Sequence, residues 1–307
     1  MNERAKRFPQ VLLLGNGINR LSGSSDWKQL IGKINTNARL NPEDKEQFDI
    51  PYPLLAVLAA DGDVDNAVKS HLELFGGLYD GELDKIRPYL SRLLSLGFDD
   101  ILTTNYSYEL ERVAYPKITR GGKGCRGIMK HTAPVKRAEP KYLLHTYSEV
   151  KYGEAVNRVW HIHGEVRKPN SIVLGHYNYG SLLRRMQDVL GSRENVQYRL
   201  EMANRPPVMD SWLDAFIMGD VYILGFGFDF SEFDLWWLLE RKKREKASHG
   251  IVRFYSPTHG NDFKLMMMET YGAEIISFGF TRPNPDYEGF YNKAIEDICA
   301  KFSDKKV

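Results

Sequence analysis

Short apolar runs that break into glycine turns recur along the chain. QVLLLGNGINR (10–20) and DVYILGFGFDF (220–230) each stay apolar for four positions and then stop at a Gly-x-Gly. Such runs predict parallel strands buried on both faces, each ending at a ligand-facing loop. DDILTTNYSYELERV (99–113), RVWHIHG (158–164), GIVRFYSP (250–257) and AEIISFGF (273–280) predict further strands. Between them the apolar spacing becomes helical. SDWKQLIGKI (25–34) places Trp27, Leu30, Ile31 and Ile34 on one face, with Ser25 or Asp26 as N-cap. LDKIRPYLSRLLSLGF carries Leu83, Ile86, Leu90, Leu93 and Leu94 at helical spacing, with Gly97 as the stop. Residues 51–98 and 181–217 read as mostly helical, the latter interrupted by NRPP at 204–207. SIVLGHYNYG (171–180) follows the third strand, and helices are predicted over DFKLMMMETYG (262–272) and YEGFYNKAIEDICAKF. Residues 116–158, rich in Gly, Lys, Arg and Pro, read as a loop region.

Strands alternating with helices predict an α/β fold: a Rossmann-like, doubly wound parallel sheet with helical insertions near 51–98 and 181–217. With 307 residues and 42% hydrophobic content, the chain has enough material for one such domain over 1–307. A net charge of +2 gives no bulk electrostatic case for nucleic acid or an anionic membrane. The run ERKKREKA (240–247) reads as a solvated helix end. The apolar run near the N-terminus is too short for a signal peptide or membrane span. Two widely separated cysteines, Cys125 and Cys299, suggest a reducing compartment, so a cytoplasmic protein is expected.

Candidate chemistry gathers at the strand ends, where open α/β sheets bind ligands. The turn GNGINR offers Gly15, Asn16, Gly17 and Asn19 as a phosphate-facing loop, but Arg20 occupies the third glycine position of the dehydrogenase fingerprint. Hydride transfer is therefore disfavoured. A tight strand-to-helix turn explains the glycines equally well. At ILTTNYS, Thr104, Asn105 and Ser107 follow a buried strand; the Asn105 amide suits a sugar hydroxyl or a water, or simply caps a helix. In VWHIHGEV, strand alternation puts His161 and His163 on one face. His163 lies nearer the ligand end, beside Gly164, and is the better proton acceptor; His161 reads as structural. Nothing near them in sequence completes a metal site. Gly225 and Gly227 mark a second glycine turn, and two such turns on one sheet suggest a dinucleotide across the crevice. Phe226, Phe228, Phe230 and Phe233 read as core or as the wall of a base site. Met266–Met268 read as core filler, and Ser231 as a helix cap with Asp234 in capping-box position.

In this order, GNGIN, TTNYS, HIHG, SIVLGHYNY and GFGFDFSEFD resemble the landmarks of the sirtuin family, closest to the sirtuin-like domains of bacterial antiphage-defence proteins. The resemblance spans about residues 11–280. It implies NAD as a substrate and cleavage of its nicotinamide–ribose bond, without a metal. By motif, Gly15, Asn16, Gly17 and Asn19 would line the phosphates; Asn105 would hold the ribose or the attacking water; His163 would be the base. Thr104 and Ser107 would flank the ribose and nicotinamide, and Gly225 and Gly227 the phosphates or adenine ribose. Two departures stand out. The four-cysteine zinc module cannot be built from two cysteines, which argues against protein deacylation. Ser107 stands where the family carries an aspartate. The resulting expectation is an NAD glycohydrolase acting in antiphage defence by NAD depletion, with self-assembly or a separately encoded partner, an ATPase or sensor, as activator. The alternatives are a non-catalytic NAD or ADP-ribose-binding signalling module, a deacylase, or an ADP-ribosyltransferase.

Overall fold

In a computed structural model, residues 8–23, 27–41, 49–132, 139, 141–191, 210–245, 250–258, 262–279 and 286–304 are described. The proposed caps Ser25 and Asp26, the NRPP interruption and the end of the chain beyond Asp304 lie outside them. Eight strands form one sheet: β1 (Gln10–Leu14), β2 (Asp100–Thr103), β3 (Met129–His131), β4 (Thr146–Tyr152), β5 (Ala155–His161), β6 (Asp220–Leu224), β7 (Val252–Ser256) and β8 (Ala273–Ser277). Their order is β3-β4-β5-β2-β1-β6-β7-β8. The run from β5 to β8 is parallel, as the buried apolar strands require. At the other edge β4 pairs antiparallel to β5 and to the edge strand β3, so the sheet is mixed.

This edge corrects the reading of 116–158 as a loop. The β4 segment TYSEVKY does alternate, burying Thr146, Ser148 and Val150. Two of those inward positions are polar, which hides a period of two from any apolar count.

Helices cover both faces. Val11 and Leu13 of β1 pack into a cluster with α6 (His176–Gly191), α7 (Trp212–Met218), α8 (Phe233–Arg244) and α9 (Phe263–Thr270). The alternate residues Leu12 and Leu14 face a second cluster, built on α4 (Asp80–Ser95), α5 (Glu109–Ala114) and α10 (Tyr287–Asp304). The helices α1 (Trp27–Ile34), α2 (Tyr52–Ala59) and α3 (Val64–Ser70) form a third cluster with Phe75, Tyr106, Tyr108 and Ile172. The chain lays β1 and β2 on one side and then returns to place β6 on the other flank of β1, so the order reverses between β1 and β6. This is the switch point at which such sheets bind ligands. Among the described residues no helix is long and apolar enough to cross a membrane.

Three smaller expectations change. Helix α8 begins after Glu232 without a side-chain cap, and the Ser231 hydroxyl instead bonds Asp229 at 2.6 Å. Lys242, read as part of a solvated end, is buried. Its ammonium donates to the carbonyls of Phe216, Ile217 and Gly219 at 3.1, 2.9 and 2.7 Å, closing the C-terminal end of α7; a lysine stem long enough to lie through apolar packing makes this reach feasible. Of the methionine triplet, Met268 is core, whereas Met266 is exposed.

Candidate active site

The two glycine turns meet each other before they meet any ligand. Gly15 N–H donates to the Leu224 carbonyl at 3.0 Å, and Gly17 N–H to the Gly225 carbonyl at 2.7 Å. A Cβ on either Gly15 or Gly17 would lie 2.5 Å from the Gly225 oxygen. Both glycines are thus required by close backbone approach, and the Gly17 amide is already spent. Gly225, at φ 66°, sits in left-handed backbone that a side chain disfavours. Beyond Gly15 the chain enters a 3-10 turn, Asn16–Ser22, in which the Asn19 amide donates to Asn16 at 2.6 Å.

A cleft of about 780 Å³ opens at this switch point, within the ordinary range for small-molecule sites. Nine of the ten positions singled out from sequence line it: Asn16, Gly17, Asn19, Thr104, Asn105, Ser107, His163, Gly225 and Gly227. Gly15 lies behind the wall, against Gly225. Phe226 and Phe228 line the cleft too; Phe228 is fully buried, while Phe230 and Phe233 are substantially exposed. Sequence reasoning missed the cations on the rim: Arg20, Lys33, Arg120 and Lys264. Arg20 was visible only as a failed glycine fingerprint.

Asn105 is not a helix cap. Helix α5 starts at Glu109, with Tyr108 before it and no side-chain cap. The Asn105 side-chain oxygen is buried without a hydrogen-bond partner among the described residues. A buried carbonyl oxygen without a donor calls for an explanation, and its residue lines the cleft.

The two histidines part company because β5 ends at His161. The alternation that would put them on one face stops there, and Gly164, at φ 93°, turns the chain so closely over Ser171 that a Cβ would collide with the Ser171 carbonyl. His161 Nδ1 donates to the Asn105 carbonyl at 2.8 Å, and Nε2 meets Glu111 Oε1 at 3.0 Å. Both ring nitrogens therefore carry protons. Burial alone would lower the His161 pKa, but the Glu111 charge and hydrogen bond, helped by Glu165 and the Asn105 carbonyl, hold it at about 9. His161 is a buried cation that fixes the backbone of Asn105.

His163 points elsewhere. Its Nε2 donates to Asp234 Oδ2 at 2.8 Å, and its Nδ1 lies 4.0 Å from Glu232 Oε2. Burial again pulls its pKa down, and the charges of Asp234 and Glu232 more than reverse that. Glu232 accepts from the Tyr179 hydroxyl at 3.0 Å. Burial raises Glu232 to about 7, against the lowering effect of His163 and with the support of Asp234. Both carboxylates escaped the sequence reading because SEFD looked like a helix start. Candidate ligand atoms of His163, Glu232 and Asp234 lie within 4.8 Å of one another, close enough for a cation. The His163–Asp234 hydrogen bond, however, already uses an atom from each on the other.

Ser107 has its own partner. Its hydroxyl lies 2.6 and 2.8 Å from the two oxygens of Glu109, which also accepts from the Leu78 amide at 3.1 Å. Arg112 holds the Leu78 carbonyl and Asp80, each at 2.6 Å, and Arg120 the Gly77 carbonyl at 2.7 Å. The segment between the 3-10 turn Leu72–Gly76 and α4 is thereby clasped along the cleft wall.

The strand order reverses between two interlocked glycine turns, with Asn105 and His163 at the strand ends lining the crevice, which is where open α/β sheets bind ligands. Residues 99–276, more than half of the chain, match the family described as SIR2-like domain. The chain belongs to the SIR2-like family. The match begins just before β2 and runs into β8, so it takes in Asn105, His163 and the second glycine turn, whereas the first glycine turn precedes it. Among curated proteins none matches the sequence. Membership makes the chemistry of this SIR2-like chain NAD-related.

Proposed function

We propose that this SIR2-like protein is an NAD glycohydrolase, converting NAD and water to ADP-ribose, nicotinamide and a proton. The observation that carries the reading is that Asn105, whose buried side-chain oxygen has no partner among the described residues, and His163 line one cleft. Breaking the nicotinamide–ribose bond sends the bonding pair to the pyridinium nitrogen and builds positive charge on the ribose. Asn105 is suited to hold the ribose or the water that attacks it, and His163 to assist in removing the water's proton. The rim cations Arg20, Lys33, Arg120 and Lys264 favour a pyrophosphate. Gly15, Asn16, Gly17, Asn19, Gly225 and Gly227 shape the phosphate side, and Thr104 and Ser107 the nicotinamide side. In this reading the protein forms one domain over 1–307 and works in the cytoplasm, depleting NAD in antiphage defence. Self-assembly, or a separately encoded ATPase or sensor, opens the site.

One observation favours a second reading. His163 is 1% exposed and paired with Asp234, a resting arrangement that suits a non-catalytic binder of NAD or ADP-ribose. Measuring nicotinamide release at rising protein concentration, alongside Asn105→Ala and His163→Ala, separates the two. Turnover that both substitutions abolish supports the hydrolase. Ligand-induced stabilisation without turnover under any activating condition supports the binder.

A further inference from the structure

The hydrolysis as written leaves three buried polar side chains at the site without a role: Glu232, Asp234 and Tyr179. Their geometry is specific. The Nε2–H of His163 is committed to Asp234, so only Nδ1 remains for a reacting group. Nδ1 and Glu232 Oε2 stand 4.0 Å apart, too far for a direct hydrogen bond, which ends near ~3.2 Å. A single oxygen at about 2.8 Å from each would bridge them. Tyr179 braces both sides of that gap: its hydroxyl donates to Glu232, and its ring meets the His163 ring edge-on at 5.4 Å. His163 and Glu232 both line the cleft, which puts the gap at its wall.

We propose that Glu232 is a catalytic acid–base residue of the hydrolysis, acting across this gap with His163 on the attacking water, and that Asp234 is a positioning residue for His163. The inference rests on the glycohydrolase reading. Before the step, His163 Nδ1 and Glu232 hold one titrating proton between them. The water oxygen bonds to the ribose carbon as the carbon–nitrogen bond breaks, the electron pair leaving with nicotinamide. The water's proton joins the pair, which then holds two and releases one to solvent as ADP-ribose departs. The groups that set the pair's titration are His163 after β5, Tyr179 on α6, Asp234 on α8, Asp229 in the turn before it, and Tyr106, whose hydroxyl is held by the Val173 carbonyl at 2.8 Å. Because His163 and Glu232 interact, their apparent titration belongs to the pair.

The test is kcat against pH, with NAD affinity measured separately by calorimetry, for wild type, Glu232→Gln, Glu232→Asp and Tyr179→Phe, all checked for an intact melting transition. Wild type should lose rate on the acid side of a limb near neutrality. Glu232→Gln should keep NAD affinity within about threefold, drop kcat by about a hundredfold or more and lack the limb; Glu232→Asp should restore part of the rate. Tyr179→Phe removes a donor to the Glu232 carboxylate, so its limb should move to higher pH. A Glu232→Gln enzyme with wild-type kcat and an unmoved limb overturns the proposal while leaving the hydrolase standing. Activity lost to EDTA and restored by Mn²⁺ or Zn²⁺ overturns it in favour of a cation at the same three side chains. A wild-type protein that never turns over NAD overturns the reading and the inference together.

Discussion

Removing the charge buried behind Asn105 is the most quantitative probe of the site. In His161→Leu, Glu111 becomes a fully buried carboxylate with neither oxygen paired, since Oε2 already has no partner. Breaking a buried ion pair from one side costs about 3–5 kcal/mol, and the orphaned Asn105 carbonyl adds about 1–3 kcal/mol. A second route gives a similar size for the pair. Raising the His161 pKa from 6.5 to about 9 in the folded state corresponds to roughly 3 kcal/mol in favour of the charged ring. The sign follows from which state binds the proton more tightly. Here it is the folded one, so this stabilisation is complete below about pH 6.5 and is lost as pH rises through about 9. Urea unfolding should show His161→Leu less stable than wild type by at least about 3 kcal/mol at pH 6 with m unchanged. His161→Leu/Glu111→Leu should recover most of that loss, because Glu111 is then no longer left as an unpaired buried charge. The stability of wild type relative to the double variant should fall between pH 6.5 and 9.5. Equal midpoints for wild type and His161→Leu at pH 6, or a relative stability flat across that range, would refute the assignment of His161 as a buried cation.

Other predictions follow from the same geometry. Gly17→Ala forces a Cβ against the Gly225 carbonyl, where backbone on both sides cannot yield; about 1–3 kcal/mol of stability should be lost, and NAD-induced thermal stabilisation should fall with it. Wild-type behaviour in both would show that the turns have room. Lys242→Met strips the donor from three carbonyls at the end of α7 and should cost about 2–4 kcal/mol by urea unfolding, whereas loss below ~0.5 kcal/mol would return Lys242 to the solvated end its sequence suggested. Glu109→Gln weakens the tie between Ser107 and the Leu78 amide, so hydrogen exchange should quicken at 77–82; unchanged protection there would mean that Arg112 and Arg120 hold the segment unaided.

The strand ends were legible because their cause is local. An apolar run of four residues bounded by glycine reads as a buried strand, and Gly15 and Gly17 after β1 and Gly225 after β6 mark backbone that must approach something closely. What they approach was not legible: the partner of Gly15 and Gly17 is Gly225, about two hundred positions away, and only the sheet order brings them together. The antiparallel edge was hidden for a related reason, since Thr146 and Ser148 are buried by pairing partners rather than by their own hydrophobicity.

The histidines show the division most clearly. From VWHIHGEV alone, residue types and spacing determined that two titratable rings lie at a strand's carboxyl end beside a glycine turn. The tertiary structure decided what each ring is. By ending β5 at His161, it sent one ring to Glu111 and the Asn105 carbonyl and the other to Asp234 and Glu232. A side chain's charge depends on the dielectric and the partners around it, and those partners come from α5 and α8, distant in sequence. Sequence carries the period, the turns and the inventory of reactive groups; burial and long-range pairing fix their protonation, and only folding supplies both.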